Sequence, residues 1–214
     1  MMRVFDFLPM MLDGAKTTVG LFLLTALISI PVGFIVAVIR YYGGTIVKSV
    51  IGLYILIMRG TPLLLQIIFV FFGLPLMGIT LDRMPSAIIA FAVNYSAYMA
   101  EIFRGGIESI SKGQFENARI LGFSKIQTFR YIIMPQVIKS VLPSIGNEMM
   151  ALIKDTSLVY VIGLGEILRA AKNATNTMAS VAPMALAAAL YLILIGILTF
   201  FMKLWEKKYA YYKS

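Results

Sequence analysis

The sequence contains no histidine and no cysteine, and only 14% of its 214 residues are charged. Without these two residue types the chain has no imidazole base, no thiol nucleophile, no disulfide and none of the usual zinc ligand sets. It therefore cannot assemble serine–histidine or cysteine–histidine catalysis on its own. A Gly-x-x-x-x-Gly-Lys-Ser/Thr phosphate loop is also missing, which excludes ATP binding and hydrolysis by that route.

Hydrophobic residues, in contrast, make up 60% of the sequence, more than a soluble domain of this size can bury. Residues 17–39, 60–81 and 173–202 contain no charge and are long enough to cross a membrane. The pattern predicts an all-α membrane protein that forms one transmembrane domain over residues 1–214. Pro62 is expected to break or kink the second helix, because proline removes a backbone donor. Five transmembrane helices are predicted, at about 16–40, 46–73, 85–104, 137–161 and 180–203.

Lysine and arginine residues are unevenly divided between the two sides of these five helices. If the N-terminus is outside, eleven of them lie inside, Lys213 included, and five lie outside, Arg3 included. The positive-inside rule therefore predicts an outside N-terminus and a cytoplasmic C-terminus. The net charge of +9 then fits basic loops that face anionic membrane lipid, and nucleic acid is not an expected partner.

One sizeable polar loop, at about residues 105–134, is predicted on the cytoplasmic side between the third and fourth helices. Within it, Gly122 fits the left-handed stop position of a short helix at 114–121. Ser124 and Gln127 then form a capping box that opens the next helix. A short amphipathic helix of this kind either lies on the lipid surface or docks in a groove of a soluble partner. Its apolar face is predicted to be Phe115, Ala118 and Leu121.

The same loop carries residues of a known signature. Glu116, Asn117 and Ala118, followed by Gly122 and Pro135, match the spacing of a Glu-Ala-Ala…Gly…Ile-x-Leu-Pro motif. The stretch resembles the signature of the permease subunits of bacterial ATP-binding-cassette importers, with Asn in place of one Ala and Met in place of Leu. The resemblance extends over residues 14 to 205, and four further stretches are similar to the polar amino acid branch of that family: 59–62, 73–75, 98–106 and 154–158.

This resemblance implies that the loop helix is a coupling helix, docked in a groove of a separate ATPase subunit. It carries the coupling role over to Glu116, Ala118 and Gly122. The small Ala118 and Gly122 would let the partner approach closely, and Glu116 would meet a cationic side chain. ATP binding would close the ATPase pair and turn the permease halves from inward-open to outward-open.

The resemblance also implies the partners of the chain. Two ATPase subunits would bind ATP and Mg on the cytoplasmic side, so the chain itself would need no cofactor or metal and would not be an enzyme. A second permease would complete the pathway as a homodimer, with a heterodimer of related permeases left open. An extracytoplasmic amino-acid-binding protein would deliver the substrate. The chain would be a multi-pass protein of the bacterial cytoplasmic membrane.

Several charged residues interrupt the apolar stretches at membrane depth. Each ionised side chain costs roughly 2.5–3.5 kcal/mol at the bilayer centre, so these residues must face the bundle interior, a partner or water. A rise of about 1.5 Å per residue puts Arg59, Asn94 and Glu148 near the midplane, where transporter sites are found. The interrupting charges are Arg59, Glu101, Glu148, Lys154 and Asp155.

Helical spacing groups these residues into a candidate substrate site. Glu148 and Asp155 are seven residues apart and therefore lie on one face of a helix, as do Asn94 and Glu101. We expect Glu148 and Asp155 to bind the cationic groups of a polar amino acid. The excess of carboxylates favours a basic substrate, such as arginine, lysine or histidine. Four further residues are candidates for contact with it: Asn94, Tyr95, Ser96 and Glu101.

Other interpretations of the same residues stay open. Glu148 can pair with Arg59, Glu101 with Arg104, and Asp155 with Lys154 or with a helix end of a second subunit. In an ion-coupled secondary transporter of amino acids the same carboxylates would be proton or sodium sites, although no inverted repeat is visible in this chain. The third interpretation, a structural membrane scaffold, is disfavoured by the buried charges on two helices, which such a protein does not need.

Overall fold

The computed structural model describes residues 4–209, and these are almost entirely helical, without a strand. Arg3 and Lys213, which entered the orientation argument, lie outside the described residues. Short 3₁₀ or π segments adjoin the α-helices at Val4–Phe7, Phe69–Gly73, Leu74–Met77, Thr128–Ile133 and Thr156–Ile162. The α-helices are α1 (Leu8–Tyr42), α2 (Thr45–Gly60), α3 (Leu63–Ile68), α4 (Arg83–Glu108), α5 (Lys112–Ile120), α6 (Lys125–Gln127), α7 (Met134–Asp155), α8 (Ile167–Met178) and α9 (Ala182–Tyr209).

Three helices of the described chain, α1, α4 and α9, are long and apolar enough to cross a membrane. The helices α2 and α3 meet at a bend of 101° and count as a fourth span if the pair is taken together. At about 1.5 Å per residue α7 is also long enough, roughly 33 Å, but its four charged residues make it less apolar. The membrane-spanning helical fold is confirmed, and the number of five spans stays a prediction.

The helix boundaries differ from the predicted ones in two ways. α1 begins at Leu8, about two turns earlier than the predicted start. The predicted fourth helix is two elements, since the α-helix ends at Asp155 and a 3₁₀ segment continues to Ile162. The helix α8 was not predicted at all. Its N-terminus is capped by the buried carboxylate of Glu166, which accepts hydrogen bonds from the backbone N–H groups of Leu168 and Arg169.

The central element of the fold is α4. Of the 18 most apolar consecutive residues of α4, 67% are buried inside the chain, and the same fraction is 22% in α1 and 6% in α9. Phe91, Tyr95, Met99 and Phe103 form its buried stripe, with a spacing of four residues. One face of α4 is therefore fixed by packing, and the functional side chains it carries are held in place.

The packing of α1 against α4 depends on small residues. An ideal Cβ built on Gly33 would lie 2.3 Å from the Cβ of Met99 and 2.8 Å from the carbonyl oxygen of Ser96. The two backbones therefore approach so closely that no side chain fits at this position. The buried face of α1 repeats every three to four positions and is small except at Met11 and Leu21; its small residues are Gly14, Thr18, Thr25, Ser29, Gly33 and Ala37.

We predict that Gly33→Ala destabilises the protein by about 1–3 kcal/mol, because the added methyl group overpacks the α1–α4 contact. Gly20→Ala is the matched control on the same helix, since nothing lies within 4 Å of its ideal Cβ. That change should be neutral or stabilise by up to about 1 kcal/mol, through helix propensity. Thermal unfolding of the detergent-solubilised protein measures both. Equal unfolding temperatures for the two variants would contradict the close contact.

Candidate functional site

A polar cavity with a volume of about 550 Å³ lies where the bend between α2 and α3 faces α4 and α7. It combines one cation, two carboxylates, an amide and two phenol groups, whereas two grooves lined by residues of α1, α7 and α9 are apolar. A concave site with a few convergent polar groups is the usual form of a small-molecule site. Its lining is Arg59, Gly60, Thr61, Pro62, Leu63, Asn94, Tyr95, Tyr98, Glu148, Ala151, Asp155 and Leu158.

One wall of the cavity is the break between α2 and α3. Thr61 and Pro62 are extended, with φ/ψ of −115°/147° and −61°/133°, so the predicted break at Pro62 is confirmed. The Thr61 hydroxyl donates to the Ile57 carbonyl oxygen over 2.8 Å. The Gln66 side-chain amide donates to the Met58 carbonyl oxygen over 3.1 Å and to the Thr61 hydroxyl over 2.8 Å. Pro62 has no N–H to donate to the Met58 carbonyl oxygen, so the Gln66 amide satisfies that group, and the three bonds together hold the bend.

Asn94 of α4 is tied to the same break. Its Nδ2 donates to the Met58 carbonyl oxygen over 2.8 Å and to Gln66 Oε1 over 3.0 Å. The residue is 3% exposed, so these bonds are shielded from water. Because both amide protons are used, only the Oδ1 atom of Asn94 is left to accept a hydrogen bond from a ligand.

Asp155, at the end of α7, accepts a hydrogen bond from α4 across the cavity. The Tyr95 hydroxyl donates to its Oδ2 over 2.7 Å, and the Tyr95 ring stacks on Phe91 with centroids 6.3 Å apart. Tyr95 is buried, so the carboxylate is oriented by a fixed donor. The other oxygen of Asp155 stays available for a cationic ligand.

Glu148 and Arg59 complete the charges of the cavity. The Arg59 guanidinium lies over the ring of Tyr98, 5.1 Å from its centroid. Glu148 lies about two turns from Asp155 on α7 and is half-buried. Among the described residues no ion pair within 4.0 Å joins Arg59 to Glu148 or Lys154 to Asp155, so neither of these alternative pairings is formed.

Glu101 belongs to a different group of charges. Its Oε2 accepts from Arg40 Nη1 over 2.9 Å, and its Oε1 accepts from Arg104, as the alternative interpretation predicted. Arg104 also donates to Glu108 over 2.5 Å. A second, shallower cavity of about 360 Å³ lies beside this network and shares Arg59 and Gly60 with the first.

The six predicted substrate contacts are therefore only partly brought together. Asn94, Tyr95, Glu148 and Asp155 line one cavity, and Glu101 lies in the next. Ser96 is buried on another face of α4, where its backbone meets Gly33 of α1. Sequence reasoning missed Tyr98 and gave Arg59 only a pairing role, although both lie in stretches that carried the family resemblance.

The polar loop contains the predicted turn but not the predicted apolar face. Gly122 has a φ of +79°, and the backbone N–H of Phe123 donates to the Ala118 carbonyl oxygen over 3.0 Å, as in a Schellman stop. The capping box of Ser124 and Gln127 is confirmed. Phe115 and Ala118 are half-buried and buried, whereas the helix ends at Ile120 and Leu121, in the turn, is 73% exposed, so the three do not share one face.

The loop exposes an apolar patch beside two of the predicted coupling residues. Glu116 and Gly122 are exposed, whereas Ala118 is 1% exposed and faces its own chain. Such a patch marks a site of protein or lipid contact. Its members, called the loop patch below, are Ile120, Leu121, Ile126 and Tyr131, exposed by 82%, 73%, 79% and 62%.

Comparison with known proteins identifies a family for the chain. Residues 29–211 match the family described as binding-protein-dependent transport system inner membrane component. The arginine transport system permease protein ArtQ of Bacillus subtilis (strain 168) is 35% identical over 203 residues, which cover 94% of this chain and 93% of that protein. The glutamine transport system permease protein GlnP of Escherichia coli (strain K12) is 33% identical, with the same coverage of both chains.

Solved structures give the same fold. A crystal structure of an amino acid ABC transporter with histidines contains a chain that is 32% identical. It superposes with a TM-score of 0.88 and 95% coverage of both chains. An inward-facing structure of the MetNI methionine ABC transporter superposes with a TM-score of 0.79, covering 94% of this chain and 96% of that one. At 16% identity it supports the fold alone.

Proposed function

Because the chain belongs to the family of binding-protein-dependent transport system inner membrane components, and is a permease subunit of an amino acid ABC importer, we propose that its polar cavity carries a basic amino acid across the bacterial cytoplasmic membrane. The observation that carries this proposal is the charge content of the cavity. Arg59, Glu148 and Asp155 supply one positive and two negative charges. Arginine and lysine carry one negative and two positive charges, so each charged group of such a substrate would have a group of opposite charge in the cavity.

The relatives are consistent with this substrate class without deciding it. One is named as an arginine permease, another as a glutamine permease, and a similar solved transporter is described with histidines. In this chain the second carboxylate favours the basic class. A neutral substrate would leave either Glu148 or Asp155 without a cationic partner in a low-dielectric site, which is costly.

The loop patch supports docking of the ATPase. In this proposal α5 and the following turn enter a groove of the ATPase subunit, with Glu116 and Gly122 at the contact and Ala118 holding the helix to its own chain. Two ATPase subunits bind ATP and Mg, and their closure turns the two permeases from inward-open to outward-open. The permease itself catalyses no covalent chemistry.

The position of the cavity supports a second permease copy. Arg59 and Gly60 are exposed in the single chain, so the cavity is open on the side of α2. A homodimer would close it with a symmetric partner. α2 has a matching apolar surface, in which the following residues are 58% to 81% exposed: Ile46, Val50, Leu53 and Leu56.

The orientation follows from the charges and the loop. With the ATPase docked at the loop patch, that loop is cytoplasmic, the N-terminus is outside and the C-terminus is inside, in agreement with the positive-inside rule. The opposite face then receives the amino-acid-binding protein. The ion-coupled transporter, which the sequence alone left open, does not agree with this family membership, and the uptake measurement below tests the ATP dependence directly.

We predict that the complex isolated in mild detergent and reconstituted into vesicles takes up radiolabelled arginine only when ATP is enclosed with the ATPase. Unlabelled lysine should compete at least about tenfold better than glutamine, because a charged hydrogen bond is worth about 1.5–3 kcal/mol. Collapse of the proton gradient is the control and should change nothing. Uptake that follows the proton gradient and ignores ATP would favour the ion-coupled transporter, and preference for glutamine would overturn the basic substrate.

A further inference from the structure

An apolar groove with a volume of about 520 Å³ lies on the surface of the bundle and shares no residue with the polar cavity. Residues of α1, α7 and α9 line it, together with Phe103 of α4, and no charged side chain is among the described lining residues. Its size falls within the range of about 300–1,000 Å³ that is usual for small-molecule sites. None of these lining residues belongs to α2, so the surface proposed for a second copy does not include the groove.

The groove is as long as one half of a membrane. On α7 its lining runs from Met134, at the loop end of the helix, to Met149, which is about 22 Å at 1.5 Å per residue. On α9 the lining ends at Trp205, about one turn before Tyr209. Because the hydrocarbon core of a bilayer is about 30 Å thick, such a groove reaches from the interface on the loop side past the midplane. It can therefore hold the acyl chain of a lipid along its length.

Two basic residues lie at the loop end of this groove. Phe129 stacks on Phe34, a lining residue, with ring centroids 6.4 Å apart, and this contact holds the next residue, Arg130, at that end. Lys208 of α9 comes seven residues after the lining residue Phe201 and therefore lies within about 20° of it around the helix. Both cations are exposed, and over residues 4–209 neither has a carboxylate within 4.0 Å. The uncharged groove thus ends at two positive charges that the described chain leaves unpaired.

Trp205 marks the level of the lipid headgroups at the same end. It is 60% exposed, and its indole N–H meets no acceptor in the part of the chain that the structure describes. Tryptophan is enriched at membrane interfaces, where the ring contacts hydrocarbon and the N–H contacts polar groups. The apolar groove, the tryptophan and the two cations therefore follow one another in the order of the acyl chain, the interface and the headgroup of a phospholipid. Charge complementarity favours a headgroup with a net negative charge.

We propose that this groove binds an anionic phospholipid, with one acyl chain along α7 and the headgroup phosphate at Arg130 and Lys208. Lipid chains are as apolar as the side chains of the groove, so the apolar contact alone gives little preference for one lipid over another. The preference comes from the headgroup and amounts to about fivefold for each basic residue near it. The site does not depend on which substrate is carried, and its occupant joins α1, α7 and α9 on the surface of the bundle.

The test titrates the permease, with the subunits that copurify in mild detergent, with phosphatidylglycerol or with phosphatidylcholine of the same acyl chains. Native mass spectrometry counts the bound lipids. Wild type should bind one phosphatidylglycerol per permease chain about 25-fold more tightly than phosphatidylcholine. The double variant Arg130→Gln, Lys208→Gln should lose this preference and change phosphatidylcholine affinity by less than about threefold. Lys207→Gln is the matched control: Lys207 is two residues after Trp205, about 160° around the helix, and the change should leave both affinities within about twofold of wild type.

A second pair of variants tests the groove itself. Ile138→Trp fills it with a larger apolar side chain and should weaken binding of both lipids by about tenfold or more. Leu192→Trp makes the same kind of change at an exposed position of α9 outside the groove and should leave both affinities within about twofold. Equal affinity of wild type for the two lipids, an equal loss in Lys207→Gln, or unchanged lipid binding in Ile138→Trp would overturn the proposal. The last result, together with fewer permease copies per complex, would show that a second copy of the chain occupies the groove.

Discussion

Glu148→Gln and Asp155→Asn should each lower ATP-driven uptake of arginine by about 100-fold at limiting substrate, since loss of one partner of a desolvated charge pair costs about 2–5 kcal/mol. Both changes keep the shape of the side chain and remove its charge. The loss should appear mainly in apparent affinity, because the carboxylates hold the cationic groups of the substrate. Asp155→Asn should also disturb the hydrogen bond from Tyr95, so its maximal rate should fall as well.

Glu206→Gln is the control for these variants. Glu206 lies near the end of α9 and is not among the residues that line the cavity. The change should leave uptake within about twofold of wild type, as is usual for surface substitutions. A Glu148→Gln protein that still transports basic amino acids with unchanged affinity would contradict the assignment of the cavity.

The second large effect is expected at the coupling loop. Gly122→Leu should lower recovery of the ATPase with the permease by about tenfold, because a bulky side chain at the centre of a docked surface removes a close contact. Nothing lies within 4 Å of an ideal Cβ on Gly122, so the new side chain would point away from its own chain. A mild-detergent pull-down, with the stoichiometry determined by native mass spectrometry, measures the effect and the number of permease and ATPase copies.

Gly78→Leu is the matched control for backbone strain. Gly78 has a φ of +84°, against +79° for Gly122, and its ideal Cβ is equally free of contacts. Both substitutions therefore cost a similar amount, about 1–2 kcal/mol for a non-glycine residue in the left-handed region. Only the Gly122 variant should lose the ATPase. If both variants lose it equally, strain and not docking is responsible, and a permease that is recovered alone even as wild type would favour the ion-coupled transporter.

Much of the site could be predicted from the sequence because the membrane makes charges expensive. Glu148 and Asp155 were found from their cost and their seven-residue spacing, and the structure places both in one cavity. Helix geometry also explains why Ser96 and Glu101 do not line that cavity. Ser96 is two residues from Asn94, which is about 200° around the helix, so the two face different neighbours. Glu101 lies about 10 Å further along α4 than Asn94, and at that distance it pairs with Arg40 and Arg104.

The remaining features depend on three-dimensional packing that local patterns do not contain. Arg59 meets Tyr98 because α2 packs against α4, a tertiary contact that local patterns do not contain, and the angle of 101° after α2 cannot be read from Thr61 and Pro62. α8 was missed because it has only 12 residues and includes Arg169 and Lys172, so it is not itself a long uncharged stretch of the kind that predicts a membrane span. Leu121 does not continue the face of Phe115 and Ala118 because the helix ends one residue before it, and the end of a helix is the least certain part of a periodic pattern.

The most direct measurement uses the absence of cysteine from the chain. Ala151→Cys introduces a single thiol on the cavity wall, and Ser111→Cys introduces one at the exposed start of α5. Arginine should slow labelling of the cavity thiol by a water-soluble reagent, at the concentration that half-saturates binding, and should leave the loop thiol unaffected. Labelling of Ala151→Cys that no amino acid slows, in a variant that still transports, would show that the substrate does not pass through this cavity.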